Sequence, residues 1–138
     1  MRTLIAMSML AFAAPALAQT AAPLTPAQAI AAATAAPSGK VEATVEFVAA
    51  STGASGFNVF LNSSANYRDA DNLSAELHAG ATNALKQKLG GYPEELLKGK
   101  RVRIKGVVRR VAIPKREGGS YFQTRIDVDT PDQIEILG

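Results

Sequence analysis

A polar loop over residues 66–72 brings together side chains that can bind ligands. Tyr67 can stack against a planar group, and Arg68 beside it can bind an anion. Asp69 and Asp71 can hold a cation, although a calcium loop needs more oxygen ligands and a bidentate acid at its end. The alternative is a plain loop, because Asn and Asp are frequent turn formers.

A second stretch that could bind a ligand is strongly cationic and covers residues 98–116. It contains nine Lys or Arg residues and no acidic residue. These cations can neutralise nucleic-acid phosphates, and such binding weakens as the salt concentration rises. They can equally form the solvated face of a strand and pair with acids on neighbouring strands. The acids available for such pairing are Glu42, Glu46, Asp127 and Asp129.

The sequence offers few residues that could complete a metal site or a catalytic triad with histidine. His78 is the only histidine, and the chain has no cysteine. A zinc site or a catalytic triad would therefore be incomplete, and we interpret His78 as a surface residue at the end of a strand. Arg68, Asp69 and Asp71 are faintly similar to a nuclease site, but no further Glu and Arg follow at matching spacing. We expect no catalytic residue, no metal and no cofactor.

Three strands and a helix are predicted in the first half of the chain. Apolar and polar residues alternate over residues 41–47, as in a half-buried strand. Small residues at 51–56 predict a loop, and alternation returns over residues 57–62. A weaker third strand is predicted over residues 73–78. A helix follows over residues 81–89, where two leucines lie one turn apart and a Gly-Gly pair ends the pattern.

The cationic stretch is also the clearest strand. Over residues 100–113 the pattern places Val102, Ile104 and Val108 on one side and cations on the other. Gly106 predicts a bulge or a sharp bend within this fourth strand. A turn at residues 117–120 leads to a fifth strand over residues 121–128. Its inward residues are predicted to be Phe122, Thr124, Ile126 and Val128.

The first 39 residues are predicted to precede the domain. Residues 1–18 have a positive start, an apolar run and a small-x-small cleavage site, which is the layout of a secretory signal peptide. The apolar run is too short to remain as a membrane span. Residues 19–39 are rich in Ala and Pro and predict a linker with a nascent helix after Thr25. Localisation is thus predicted to be periplasmic or secreted.

Length and charge set limits on the folded domain. Residues 40–138 suffice for one compact domain. The full chain has 15 Lys and Arg against 12 Asp and Glu. Removal of residues 1–18 takes away only Arg2, which leaves 14 cations, a net charge of about +2. A balance this small does not by itself indicate a nucleic-acid partner.

The element order and three motifs resemble bacterial OB-fold domains of the nucleic-acid-binding type. Three strands, a helix and two further strands follow the order of the OB-fold, a five-stranded Greek-key barrel. The motifs are Phe60-Leu61-Asn62, KGKRVRIKG at residues 98–106 and PDQIEI at residues 131–136. The resemblance covers nearly all of residues 40–138. It implies an all-β fold with one helix, placed between strands 3 and 4.

The resemblance also implies where a ligand binds. In such domains the ligand lies across strands 2 and 3, between the loops that join strands 1 to 2 and 4 to 5. The function implied is an exported, non-enzymatic module for single-stranded nucleic acid or another polyanion. The alternative is a periplasmic protein-interaction or envelope-stress module that binds no nucleic acid. The candidate ligand-binding residues are Phe60, Asn62, Tyr67, Arg68, Arg103, Lys105, Lys115, Arg116 and Tyr121.

Overall fold

The computed structural model of the chain describes residues 22–138. The signal peptide predicted over residues 1–18 lies outside this range. The fold is mostly β, as predicted, with three α-helices and a short 3-10 turn, Pro131–Gln133. The helices are α1 Pro26–Ala35, α2 Ala79–Leu89 and α3 Pro93–Leu96. The strands are β1 Lys40–Val48, β2 Ser51–Ser55, β3 Asn58–Asn62, β4 Leu73–Leu77, β5 Arg101–Pro114, β6 Ser120–Val128 and β7 Ile134–Ile136.

The strands form one mixed sheet in the order β1-β5-β6-β4-β3-β2, with β7 paired to β5. The β4–β6 pair is parallel, and the other pairs of strands are antiparallel. The prediction of a closed five-stranded barrel is therefore wrong. Residues 51–55 were expected in a loop but pair with β3, and Ile134–Ile136 forms a further strand. The helix predicted over residues 81–89 is found as α2, which lies between β4 and β5 of the observed sheet. The prediction of a single helix is wrong, because residues 22–138 contain two further helices.

Ala49 and Ala50 link β1 to β2. At these two residues the chain stops pairing with β5 and starts pairing with β3. The Ala49 amide donates to the Lys100 carbonyl at 2.9 Å, on the side of β5. The Ala50 amide donates to the Asn62 carbonyl at 2.8 Å, on the side of β3. The first predicted strand is thus continued by β2 after a change of direction. The small residues of β2 gave no sequence signal for this continuation.

The inward residues predicted for β5 are confirmed. Val102, Ile104 and Val108 are fully buried, where they join leucines of β3, β4 and α2 in the core. Three of the four residues predicted inward on β6 are also buried, but Phe122 is 52% exposed. It lies opposite Ala112 near the end of the β5–β6 hairpin, beyond the reach of the core. The alternation in sequence could not show where the core ends.

Gly106 is required for a close approach between strands and marks no bulge. The register of β1 with β5 runs unbroken from Lys40 opposite Arg109 to Val48 opposite Arg101. A Cβ atom on Gly106 would lie 2.7 Å from the Asp127 carbonyl oxygen, which is too close for a real contact. At this point the second neighbour of β5 changes from β7 to β6. Glycine therefore allows β6 to enter beside β5.

The segment expected to be a linker is packed against the sheet. Thr25 caps α1 by accepting a hydrogen bond from the Gln28 amide, and Ala29 and Ala33 of this helix are fully buried. Leu24 precedes the helix and hydrogen-bonds to β1, donating to the Thr44 carbonyl at 2.8 Å. The described part of the linker is thus a core element. No described helix has the length and hydropathy needed to cross a bilayer.

Candidate ligand-binding groove

The outer face of β3 carries two of the predicted site residues. Phe60 lies opposite Gly53 of β2 and Glu76 of β4, and Asn62 lies opposite Ser74 of β4. Directly paired residues point to the same side of a sheet, so these side chains share one face. The inner face of the same strand holds Val59 and Leu61, which are buried in the core. The alternation of β3 thus presents a ring and an amide outward.

A cavity of about 490 Å³ opens on this face, and we call it the aromatic cavity. Phe60 lies beside an open space at Gly53, where an added Cβ would meet no atom within 4 Å. The guanidinium carbon of Arg125 lies 5.6 Å from the centre of the Phe60 ring. Tyr67 is 48% exposed on the rim. The cavity is lined by residues 51–55, Phe60, Asn62, Ala65, Tyr67, Ser74, Gln123 and Arg125.

A second cavity of about 590 Å³ lies at the tip of the β5–β6 hairpin, and we call it the cationic cavity. Four of the predicted site residues line it, and three of them are cations. The side chain of Tyr67, chiefly through a hydrogen bond, raises the pKa of Arg68 above its ordinary value. The lining residues are Arg68, Ile113, Pro114, Lys115, Arg116, Glu117 and Tyr121.

The two cavities adjoin, and together we call them the groove. Tyr67 lines one cavity, and the next residue, Arg68, lines the other. The Arg68 guanidinium carbon lies 5.5 Å from the centre of the Tyr67 ring. On β6, the Gln123 amide of the aromatic cavity donates to the Tyr121 hydroxyl of the cationic cavity at 3.3 Å. The groove therefore has aromatic and amide groups at one end and cations at the other.

The loop that carries Tyr67 and Arg68 is held by asparagine side chains. The Asn72 side-chain oxygen accepts from the Ser64 amide at 3.0 Å, and its nitrogen donates to the Tyr67 carbonyl at 3.2 Å. Asn66 accepts from the Arg68 amide at 3.0 Å, which forms a local Asx turn. Asn72 is almost fully buried, so it fixes the loop to the sheet. This polar loop is therefore an ordered part of the groove.

The sequence did not reveal a cluster of charged side chains next to the groove. Ligand atoms of Glu76, His78 and Asp127 lie within 4.8 Å of one another, because β4 and β6 pair in parallel. Among the described residues this is the one group spaced for a metal ion. The spacing of Glu76 and His78 was visible in the sequence. Their proximity to Asp127 was not, because it depends on the order of strands in the sheet.

Arg109 already occupies the centre of this cluster. Its Nε donates to Asp127 at 2.6 Å, and its Nη2 donates to Asp127 at 3.0 Å and to Glu76 at 3.3 Å. His78 Nε2 lies 3.1 Å from Asp127 Oδ1. Burial alone would raise the pKa of Asp127, but the hydrogen bonds and charges of Arg109 and His78 hold it below its usual range. A guanidinium group thus lies between these carboxylates and balances their charge.

Two predicted site residues, Arg103 and Lys105, lie outside the groove. Arg103 pairs with Glu46 of β1 at 2.9 Å and with Glu135 of β7 at 3.7 Å. Glu46 is also 3.4 Å from Arg101. Lys105 is exposed on the same side of β5 and lines neither cavity. For these arginines and for Arg109, the structure supports the interpretation of the basic strand as a paired, solvated face.

Comparison with known proteins finds similarity among solved structures. No family model matches the sequence, and no curated protein is similar to it. Among solved structures, the chain is similar to an aspartyl tRNA synthetase from Entamoeba histolytica, with 16% sequence identity and a TM-score of 0.46. The alignment covers 71% of this chain and 18% of the synthetase chain.

Proposed function

We propose that the protein is a non-enzymatic module that binds single-stranded nucleic acid in the groove. The observation that carries the proposal is the continuity of two cavities, one lined by the rings of Phe60 and Tyr67 and the other by cations. Proteins that bind single strands combine aromatic side chains, on which bases stack, with a basic groove that follows the backbone. Both components are present here within one surface. Tyr67 of the aromatic cavity is followed in the chain by Arg68 of the cationic cavity, and Gln123 and Tyr121 connect the two cavities on β6.

The aromatic cavity is suited to bases. Phe60 and Tyr67 offer ring faces, and base stacking on such a ring contributes about 1–3 kcal/mol. Gly53 leaves the space beside Phe60 open, since even a methyl group there would touch nothing. Arg125 lies at the same ring and adds a cation next to it. A planar base can therefore enter without displacing a side chain of β2.

The cationic cavity is suited to phosphates because its cations are free. Arg68, Lys115 and Arg116 make no ion pair with any residue between 22 and 138. Arg101, Arg103 and Arg109, by contrast, are all paired with carboxylates. Unpaired cations can release counterions and bind phosphate without first losing an internal partner. Glu117 is the one acid that lines this cavity.

We further infer an OB-type fold in which the first strand is divided into β1 and β2. The parallel β4–β6 pair and the link through Ala49 and Ala50 support this interpretation. The pattern of residues 1–18 supports export to the periplasm or beyond. Arg109 holds the one carboxylate and histidine cluster near the groove, which supports binding without catalysis. Amino-terminal sequencing of the exported protein tests whether residues 1–18 are removed as a signal peptide.

Fluorescence anisotropy with a labelled 12-nucleotide single strand, measured across a range of salt, tests the proposed function. We expect binding that weakens with salt. The double variant Lys115→Ala/Arg116→Ala should reduce the slope of log K against log salt by about 1.4, at about 0.7 for each lost contact with a single strand. The matched control is Lys88→Ala/Lys98→Ala, which removes two exposed cations outside both cavities and should leave the slope unchanged. Absence of binding at low salt would contradict the proposal, as would equal effects of the two double variants.

A second function, interaction with another protein, is favoured by one observation. Phe57 at the β2–β3 turn is 82% exposed and lines neither cavity. Aromatic residues, phenylalanine among them, are enriched at protein–protein interfaces relative to the rest of the surface. If the anisotropy measurement gives no binding, lysine-directed cross-linking of the exported protein with its neighbours tests this function directly. A cross-linked partner that is lost in Phe57→Ser would support it.

A further inference from the structure

The strand β2 is an edge of the sheet that carries no device against pairing with another chain. It ends the strand order, and among residues 22–138 only β3 hydrogen-bonds to its backbone. The opposite edge, β1, contains charged residues and is partly covered by Leu24, which donates to the Thr44 carbonyl and accepts from the Glu46 amide. Charged side chains and covering segments keep an edge strand from pairing with a further strand. β2 has no charged residue, and its outer backbone groups are left without a strand beside them.

The residues of β2 suit a second copy of the same strand. The sequence S-T-G-A-S is nearly symmetric in side-chain size about Gly53. If two copies pair in antiparallel orientation about a two-fold axis at Gly53, serine faces serine and threonine faces alanine. A two-fold interface places the same surface of both copies together, so any charge near the axis would meet its own like. Residues 47–67 contain no charged residue, and this repulsion is therefore avoided.

Exposed apolar side chains surround the same edge. The helix α3 packs against β2, where the Thr52 hydroxyl donates to the Glu94 carbonyl at 2.6 Å. Leu96 of this helix is 43% exposed, and Tyr92, which precedes the helix, is 53% exposed. Phe57 follows β2 in the chain and is 82% exposed. These side chains extend the interface beyond the five residues of β2, which alone bury too little surface for a stable dimer.

We propose that two copies of the protein pair through β2, antiparallel about Gly53, and thereby join their aromatic cavities. Gly53 lies directly opposite Phe60, so the two Phe60 residues are separated by three strand spacings, about 14 Å. The two Gly53 residues form the floor between the rings. Because the two-fold axis is perpendicular to the joined sheet, both cavities open on the same side, and one extended ligand can contact both. The pairing depends on β2 alone, so this inference goes beyond the proposed function and does not require it.

Two single-cysteine variants of the exported protein test the register. The chain has no cysteine, so Gly53→Cys and Ser55→Cys each introduce one thiol on the outer face of β2. In the proposed dimer the two thiols at position 53 are directly opposite and can form a disulfide, whereas those at position 55 are about 14 Å apart. We expect mild oxidation to convert Gly53→Cys to a covalent dimer and to leave Ser55→Cys monomeric, although position 55 is the more exposed. Equal cross-linking of the two variants would overturn the inference.

Sedimentation velocity over a wide range of protein concentration tests whether the dimer forms without a covalent bond. In the proposed register Ser51→Glu/Ser55→Glu places like charges opposite each other, and Ser51→Glu/Ser55→Lys places opposite charges together. We expect the dissociation constant of the dimer to be about tenfold higher for the first double variant, the effect of two cross-strand charge pairs. A wild type that stays monomeric, or equal dimerisation of the two double variants, would overturn the inference. The cysteine comparison decides if a charged variant does not fold, and a monomer that binds the oligonucleotide would leave the proposed function standing.

Discussion

Arg109 lies where β4, β5 and β6 bring two carboxylates together. It contacts Glu76, which is almost fully buried, and Asp127, which is mostly buried. Two carboxylates so close would repel each other without a cation between them. The planar guanidinium group binds Asp127 through two nitrogens and Glu76 through one of these. Arg109 therefore contributes to the stability of the sheet rather than to ligand binding.

We predict that Arg109→Met lowers the free energy of unfolding by about 1–3 kcal/mol. The loss follows because Asp127 loses its main partner, while Glu76 keeps only Arg125 and Asn58. The loss is smaller than for a fully buried pair because 29% of the Arg109 side chain is exposed. Urea unfolding measures this change. Arg101→Met is the control on the same strand, since its pair with Glu46 is more exposed and should contribute at most about 1 kcal/mol. Equal losses for the two variants would contradict the role of Arg109.

The depressed pKa of Asp127 predicts how stability depends on pH. Its pKa is lowered from an ordinary value of 3.8, so the folded state holds this proton less tightly than the unfolded chain does. The resulting stabilisation is fully present above the unfolded pKa and is lost as the pH falls below about 4, through the folded pKa. Asp127→Asn removes the titrating group. We expect its stability deficit in urea unfolding to be largest near pH 7 and to shrink below pH 4, and a constant deficit would contradict this prediction.

At the scale of elements, α1 was predicted as a nascent helix in a linker, but it packs against the sheet. The capping box at Thr25 and Gln28 was visible, but an Ala-rich helix has few large side chains with which to signal a buried face. Here burial is achieved by small residues, since Ala29 and Ala33 allow the helix to pack closely on β1 and β5. A helix that docks through alanines has little hydrophobic patterning, so its packing could not be predicted.

We predict that Ala33→Leu destabilises the protein by about 1–3 kcal/mol because the close contact of α1 leaves no room for three extra carbons. Ala31→Leu is the same substitution two residues away on the exposed side of the helix. It should change stability by no more than about 0.5 kcal/mol, since Ala and Leu have similar helix propensities. Thermal or urea unfolding of both variants provides the comparison. Similar values for the two would mean that α1 does not dock as described.

The strands show which features can be predicted from sequence and which cannot. Strict alternation predicted β1, β3, β5 and β6 because each has one buried and one solvated face. It missed β2, whose residues are small and of which none is fully buried. For the groove, Tyr67, Arg68, Lys115 and Arg116 were predicted from loop chemistry and resemblance. The edge position of β2 and the cluster at Arg109 depend on strand order and register, which no local pattern contains.

At the scale of the whole molecule, three arginines of β5 and the cations of the cationic cavity differ in whether carboxylates pair with them. Those near the β1, β5 and β7 side, such as Arg101 and Arg103, are paired with Glu46. Those at the hairpin tip and the polar loop, including Arg68 and Lys115, make no ion pair with a described residue. The net charge of the chain is small, so this distribution matters more for binding than the total. Arg68, one of the unpaired cations, lies beside the exposed Tyr67 ring.

NMR titration of the ¹⁵N-labelled protein with oligo(dT) tests the central claim most directly, because it reports both binding and its location. We expect amide shifts at residues that line the two cavities of the groove, namely Gly53, Phe60, Tyr67, Lys115 and Arg125. Gly53→Val should abolish these shifts while keeping the fold, since a side chain there fills open space beside Phe60 without meeting another atom at its Cβ. Shifts confined to β1 and β7, or no shifts at low salt, would contradict the account.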